Sequence, residues 1–183
     1  PGGWPRALGA GLERSKTFAK TVRQLAGAPT AYFSVFKYVD AGVQYVNATK
    51  CALVIQADGR DAGKVVVVAQ DAATACEALR LMMKSKDFGA AGENVVIEDC
   101  LIGEEASFLA FCQGDTILPL PSAQDHKAVF DRDTGPHTGG MGAYSPAPTL
   151  PHTRHQEIVD LVCQPVLPPT EQRGLSFSGV LLS

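Results

Sequence analysis

The sequence contains no long apolar run and no excess of positive charge, and these two absences exclude whole classes of protein. Its apolar runs, such as residues 52–55 and 65–69, are far shorter than the roughly 20 residues that span a bilayer. The formal net charge is −3, and acidic and basic residues are interspersed, whereas a nucleic-acid-binding domain usually carries a basic patch. We therefore expect neither a membrane nor a nucleic-acid partner.

The sequence also lacks closely spaced cysteines and an apolar leader. Its five cysteines are spread along the chain without a CxxC pair, which predicts reduced, structural thiols of a cytoplasmic protein. The first residues, PGGWPRALGAG, have no apolar stretch of the signal-peptide kind, so residues 1–11 are predicted to form a flexible lead. His152 and His155 lie three residues apart, but no second ligand pair has suitable spacing, and no metal site is predicted on this chain.

Apolar residues are nevertheless plentiful: 45% of the 183 residues are hydrophobic, enough for a substantial core. Helical spacing of these residues predicts helices over 12–25 and 72–83, the second capped by Asp71. A capping box between Thr153 and Gln156 predicts a third helix that ends near residue 165.

Short apolar or alternating runs predict strands between these helices. The segment 39–47 is ambiguous, and residues 121–152 are predicted to be a long loop region. The predicted strands cover residues 31–36, 52–57, 65–69, 94–98, 105–112, 116–120 and 175–183.

The segment ADGRDAGK, residues 57–64, connects two predicted strands and ends in a lysine. A glycine-containing loop can lay backbone N–H groups against phosphate oxygens, and Lys64 would add a positive charge. The loop is not a Walker A motif, because GxxxxGK[ST] is absent. The pattern alone favours a solvated hairpin with an exposed lysine, and a phosphate-binding loop is the alternative.

Four acidic residues crowd into VIEDCLIGEEASF, namely Glu98, Asp99, Glu104 and Glu105. Carboxylates usually lie in water unless they are paired, so a solvated strand end is one interpretation. The other is a nucleotide-binding hinge, in which backbone groups pair with an adenine edge and a carboxylate accepts from ribose hydroxyls.

The stretch DTGPHTGGMGAYSPAP is rich in glycine and proline and follows QDHK. Loops of this length are usually functional or disordered. Gly139, Gly140 and Gly142 permit positive φ and a close approach of backbone to a ligand, and Asp125 and Lys127 add an acceptor and a cation. We interpret the stretch as a ligand cradle, with a purely structural loop as the alternative. No serine or cysteine lies in a nucleophile-elbow pattern, and no catalytic residue is assigned.

Six segments in unbroken order resemble the phosphoribosylamine–glycine ligase family, the glycinamide ribonucleotide synthetases: LERSKTFAK, ADGRDAGK, KDFGAAGENVVIED, GEEASF, QDHK and DTGPHTGGMGAYSPAP. The resemblance implies an α+β ATP-grasp fold over residues 12–183, with one lobe at about 53–115 and an incomplete second lobe at about 116–183. It also implies ATP-dependent coupling of glycine to 5-phosphoribosylamine in purine synthesis. ATP is expected between the lobes, with Mg²⁺ bridging its phosphates.

Matched position by position, the resemblance assigns roles to individual residues. ATP contacts fall to Lys20, Lys64, Glu98, Asp99, Cys100, Leu101, Glu105 and His137, of which 98–101 are the adenine hinge and Glu105 binds ribose. Substrate contacts fall to Asp125, Gly139, Gly140, Met141 and Gly142.

The sequence departs from the family pattern at three expected nucleotide contacts. Gln56, Ala128 and His137 stand where the family has lysine, arginine and asparagine, which weakens the expected polyphosphate site. The family's substrate-binding domain and its Mg²⁺-binding carboxylates have no counterpart in these residues, so a larger polypeptide is expected. The functional alternatives are the ATP-dependent ligase and an inactive ATP-grasp remnant that binds nucleotide weakly or serves as an interaction module. GGMGAYSPAP after QDHK argues against a sister ligase such as a carboxylase.

Overall fold

The computed structural model describes residues 15–58, 66–84, 94–114, 116–131, 134–138, 140–167 and 178–182. These residues fall into two compact units. The first comprises residues 15–20 and Thr30–Ile102, and the second comprises Thr21–Pro29 and the residues from Gly103 onward. In the part of the chain that the structure describes, no helix is long and apolar enough to cross a bilayer. The predicted lobe limits, about 53–115 and about 116–183, stay a prediction.

The first unit is a four-stranded antiparallel sheet with two helices packed on one face. The strands follow the order β1-β4-β2-β3. They are β1 (Phe33–Phe36), β2 (Leu53–Ala57), β3 (Val66–Ala69) and β4 (Val95–Asp99). The helices are α2 (Val39–Ala48) and α3 (Ala72–Lys84), and α1 (Lys16–Ala26) begins in this unit and ends in the second.

Successive side chains of a strand point to opposite faces of the sheet, and this decides which of them form the core of the first unit. Ile55 of β2 lies opposite Ile97 of β4, and both are fully buried. Leu79 and Met82 close the core from the side of α3. Helix α3 begins where Oδ1 of Asp71 accepts the Thr74 N–H at 2.8 Å. That bond lowers the pKa of Asp71 and confirms the predicted cap.

The second unit is built from shorter elements. Its main sheet has the antiparallel order β11-β5-β6, and two ribbons pair β7 with β10 and β8 with β9. A helical segment from His152 to residue 167 packs against β6. The strands are β5 (Leu109–Gln113), β6 (Thr116–Pro119), β7 (Gln124–Asp125), β8 (Ala128–Phe130), β9 (Thr134–His137), β10 (Ala143–Tyr144) and β11 (Ser178–Leu182).

Three secondary-structure predictions need correction. The ambiguous segment 39–47 is helix α2, whose central Gly42 and several β-branched residues obscured the pattern. The predicted loop region 121–152 contains four strands of two to four residues, too short to show alternation. The strand predicted from residue 105 begins only at Leu109, after an isolated bridge at Ser107.

The predicted capping box before the last helix is also wrong. The segment begins with a 3-10 turn, His152–Arg154, followed by α4 (His155–Ile158), and among the described residues no side chain caps either start. Arg154 instead pairs with Glu157 at 2.9 Å. A π-helical stretch, Val159–Cys163, then precedes Pro165, whose missing N–H interrupts the regular ladder.

Candidate functional site

The polar centre of the first unit lies on the sheet face opposite to α2 and α3. Glu98 of β4 lies opposite Val54, and Gln56 of β2 lies opposite Val96, so the two polar residues are diagonal neighbours on one face. Long side chains can bridge such a diagonal. The Nε2 of Gln56 donates to Oε1 of Glu98. Gln56 is only 5% exposed, so this bond satisfies a buried amide.

Helix α1 brings two lysines to this face, because Lys16 and Lys20 are four residues apart and share one side of the helix. The ammonium of Lys20 pairs with Oε2 of Glu98. The ammonium of Lys16 donates to Oε1 of Gln56. We call these four side chains, Lys16, Lys20, Gln56 and Glu98, the lysine–glutamate network.

The surroundings of Lys20 hold its ammonium in place. It donates to Oγ1 of Thr30 at 3.3 Å and lies 5.5 Å from the ring centroid of Phe33, within the range of a cation–π contact. The side chains of Lys20 and Glu98 are 14% and 12% exposed. A partly buried pair of this kind is costly to break, because either charge alone would be left with little water.

The first turn of α1 is anchored to the end of β2. Oγ of Ser15 accepts the Phe18 N–H at 3.0 Å and so caps the helix. The carboxylate of Asp58 accepts the Ser15 O–H at 3.0 Å and the Thr17 N–H at 3.2 Å. Asp58 directly follows β2, so these bonds tie the start of α1 to the end of that strand. Lys64 itself lies outside the described residues.

The predicted adenine hinge continues from β4. The Asp99 N–H donates to the Tyr32 carbonyl at 3.0 Å, and the Cys100 N–H donates to the Ala52 carbonyl at 3.2 Å. The sheet therefore uses these two amides, and an adenine edge could reach the carbonyls rather than the N–H groups of Asp99 and Cys100. Leu101 follows and is 76% exposed.

The interpretation of the acidic cluster as a solvated strand end is wrong for Glu98, which is paired with Lys20. The other members of the cluster differ. Glu104 is exposed and accepts from the Thr149 hydroxyl at 2.8 Å. Glu105 is exposed and pairs with Lys127 at 2.9 Å. The ribose role of Glu105 stays a prediction.

In the second unit, the glycine-rich stretch is bonded back to His126, which directly follows β7. The Met141 N–H donates to the His126 carbonyl at 2.7 Å, and the His126 N–H donates to the Gly142 carbonyl at 2.9 Å. Gly140 has φ +116°, and a Cβ there would lie 2.8 Å from Oδ1 of Asp125. Glycine is therefore required at Gly140 both by its backbone conformation and by the approach of the carboxylate.

A small pocket of about 20 Å³ lies beside this stretch, lined by Glu105, Ala106, Ser107, Asp125 and Lys127. That volume has room for one water molecule. The pocket brings the predicted ribose-binding acid Glu105 together with the predicted substrate contact Asp125.

For two predicted site residues in this unit, the structure describes only the backbone of one and nothing of the other. His137 lies on β9 opposite Ala128, but its side chain is outside the described part, as is the whole of Gly139. Among the residues that are described, no group of three or more His, Cys, Asp or Glu side chains could hold a metal ion.

Sequence reasoning missed three contributors to the first unit: Ser15, Lys16 and Asp58. Ser15 carried a usable signal, because a serine directly ahead of a helical pattern predicts an N-cap. Lys16 could have been noted from its spacing to Lys20. Asp58 carried no signal, because its partners lie more than 40 positions earlier in the chain.

The chain is similar to known proteins along nearly its whole length. The family "Phosphoribosylglycinamide synthetase, ATP-grasp (A) domain" matches residues 14–183. A phosphoribosylamine–glycine ligase of Xanthomonas axonopodis pv. citri is 46% identical over 177 residues, which cover 97% of this chain and 41% of that enzyme. The human trifunctional purine biosynthetic protein adenosine-3 is 44% identical over 178 residues, covering 97% of this chain and 18% of that protein.

The fold is shared with a solved enzyme. The crystal structure of a phosphoribosylamine–glycine ligase from Thermotoga maritima superposes with a TM-score of 0.82 at 29% sequence identity, covering 97% of this chain and 45% of that one. The chain thus spans about two fifths of the length of the bacterial relatives it matches. With its fold and its sequence both matched along nearly the whole chain, the protein belongs to the phosphoribosylglycinamide synthetase family of ATP-grasp proteins.

Proposed function

We propose that the chain carries the nucleotide-binding part of an ATP-dependent carbon–nitrogen ligase. The ligase couples glycine to 5-phosphoribosylamine and gives glycinamide ribonucleotide, ADP and phosphate. The observation that carries the proposal is the lysine–glutamate network, in which helix α1 brings two ammonium groups to one face of the four-stranded sheet. The chain is 46% identical to a phosphoribosylamine–glycine ligase.

The described residues fit the chemistry of a nucleotide. Lys20 supplies an ammonium for phosphate oxygens, and Glu98 holds that ammonium in place. The carbonyl of Asp99 and the amide of Leu101 would meet the adenine edge, since the N–H groups of Asp99 and Cys100 serve the sheet. Phosphoryl transfer depends mainly on positioning and on neutralising charge, and the network can supply both.

The second unit is proposed to meet the amine substrates. Asp125 offers a carboxylate to an amine, and Gly140, Met141 and Gly142 offer backbone groups. Met141 and Gly142 are held by bonds to His126, and Gly140 by a bond from its N–H to the Thr138 hydroxyl. ATP would require Mg²⁺ for its phosphates. The described residues present no carboxylate cluster of the kind that metal needs, and no step is assigned to the metal.

We place the protein in the cytoplasm, supported by five widely spread cysteines without a CxxC pair. A longer polypeptide is also proposed, since the chain matches 18% of a human relative whose name describes it as trifunctional. No specific observation favours the alternative of an inactive remnant.

The test is ADP release by the purified chain with Mg·ATP, measured without amines, with glycine alone, with phosphoribosylamine alone and with both. Release that requires both substrates supports the ligase. ATP binding without release under any condition supports the inactive alternative. A folded chain that does not bind ATP contradicts the ligase and the nucleotide-binding form of the alternative, and leaves only an interaction module.

A further inference from the structure

Lys127 contributes a cation to the small pocket of the second unit and belongs to neither set of proposed ligand contacts. Its ammonium lies 2.9 Å from Oε1 of Glu105. Asp125 lines the same pocket, which has a volume of about 20 Å³, so two carboxylates face a space that holds about one water molecule. Like charges at such short range repel each other. The ammonium of Lys127 offsets that repulsion and keeps the carboxylate of Glu105 at the pocket.

The backbone of Lys127 is bonded to the glycine-rich stretch. Its carbonyl accepts the Thr138 N–H at 2.7 Å and the Thr138 hydroxyl at 3.0 Å. The hydroxyl oxygen of Thr138 in turn accepts the Gly140 N–H at 3.1 Å. These bonds hold the backbone from which the lysine side chain reaches Glu105. One residue therefore joins the proposed ribose acid to the proposed substrate-binding stretch.

The carboxylate of Glu105 depends on Lys127 for its direction. The glutamate side chain is 69% exposed, and the lysine is its one hydrogen-bond partner among the described residues. An ion pair exposed to this degree adds little to stability, so its main consequence is where the carboxylate points and not whether the unit folds. A side chain that is already ordered loses less entropy when a ligand binds.

We propose that Lys127 is a positioning residue, which holds the carboxylate of Glu105 where the ribose hydroxyls of the nucleotide can donate to it. The inference rests on the proposed function, because it takes Glu105 as the acceptor for ribose. An ionised carboxylate has two acceptor oxygens, so Glu105 can accept from Lys127 with Oε1 and from ribose with Oε2. Lys127 thus acts on the ribose through Glu105, and it makes no contact of its own with the nucleotide.

The test is calorimetric titration of the chain with ATP and with its dideoxy analogue, which lacks both ribose hydroxyls. The ratio of the two dissociation constants measures what the hydroxyls contribute to binding. For Lys127→Met we expect ATP to bind about two- to fivefold more weakly and the analogue to bind as before. Lys127→Arg keeps a charged donor and should retain the ratio. Arg154→Met is the matched control, because it removes another exposed ion pair of the same unit, Arg154 with Glu157 at 2.9 Å.

A double variant shows whether Lys127 acts through Glu105. Glu105→Gln should weaken ATP and spare the analogue in the same way, and Lys127→Met added to it should cause no further loss. Equal weakening of ATP and the analogue by Lys127→Met, no weakening of either, tighter binding of ATP, or additive losses in the double variant would each overturn the inference.

The unchanged chain separates this inference from the claims beneath it. If it binds ATP no better than the analogue, the ribose role of Glu105 is overturned together with the inference. If it binds neither nucleotide, the proposed function is overturned as well.

Discussion

Gly42 lies in the middle of helix α2 and faces α3, where an added side chain would meet Leu79. A Cβ built on Gly42 lies 2.6 Å from Cδ2 and 3.2 Å from Cδ1 of Leu79, closer than the 3.5–4.0 Å or so at which carbon atoms pack. Leu79 is fully buried, so its side chain cannot move aside into solvent. Gly42→Ala gains about 1 kcal/mol of helix propensity, but overpacking a core costs about 1–3 kcal/mol. We expect a net loss of about 1 kcal/mol in the free energy of unfolding.

The effect of Gly42→Ala should change sign when Leu79 is shortened. Leu79→Ala alone should cost about 2–5 kcal/mol by opening a cavity. In that background the new methyl group meets no clash and occupies part of the cavity, so Gly42→Ala should stabilise by about 1 kcal/mol. Urea unfolding of the four proteins, followed by far-ultraviolet circular dichroism, measures both effects. A stabilising Gly42→Ala in the presence of Leu79, or the same effect in both backgrounds, would refute the described packing of α2 against α3.

Three further predictions concern the network, a buried thiol and a buried hydroxyl. Glu98→Gln leaves the partly buried ammonium of Lys20 without its charged partner and should lower the free energy of unfolding by about 2–3 kcal/mol; a loss below about 0.5 kcal/mol in urea unfolding would contradict the pairing. Burial raises the pKa of Cys163 from 9.0 to about 11. As the pH rises, the thiol therefore loses its proton in the unfolded chain before it does so in the folded one. The free energy of unfolding should fall between about pH 9 and 11 by up to about 2–3 kcal/mol. Cys163→Ala should lack that part of the pH dependence, and equal slopes in both proteins would exclude the assignment. Oγ of Ser122 donates to the Leu150 carbonyl at 2.7 Å and accepts the Ala147 N–H at 3.2 Å, so Ser122→Ala should cost about 1–3 kcal/mol and Ser122→Thr should cost less in thermal unfolding.

The central strands of the first unit were predictable because each is buried and short. β2 and β4 lie inside the sheet, and a strand buried on both faces reads as a continuous apolar run. The start of α3 was predictable from Asp71, because an N-cap is a local signal that needs no distant partner.

The ribbons of the second unit could not be predicted in the same way. Strands β7 and β10 have two residues each, and their pairing depends on backbone hydrogen bonds between distant segments. Around these strands the sequence is rich in glycine and proline and does not alternate between apolar and polar residues, so it predicts only a loop.

Only part of the candidate site could be predicted from the sequence. Lys20 and Glu98 were assigned through the family resemblance, and the structure brings them together. Gln56 was read as a lost charge, and its bridging position between Lys16 and Glu98 became visible only when helix α1 and strands β2 and β4 were placed side by side. Contacts among three separate elements leave no periodic signal in a single sequence.

The central claim is that the nucleotide binds at the lysine–glutamate network. The most direct test is to measure the dissociation constant of ATP for three proteins: the unchanged chain, Lys20→Met, and Lys50→Met as a control at an exposed lysine. The account predicts that Lys50→Met binds ATP like the unchanged chain and that Lys20→Met binds it at least about tenfold more weakly. Equal affinity of a folded Lys20→Met would place the nucleotide elsewhere on the molecule.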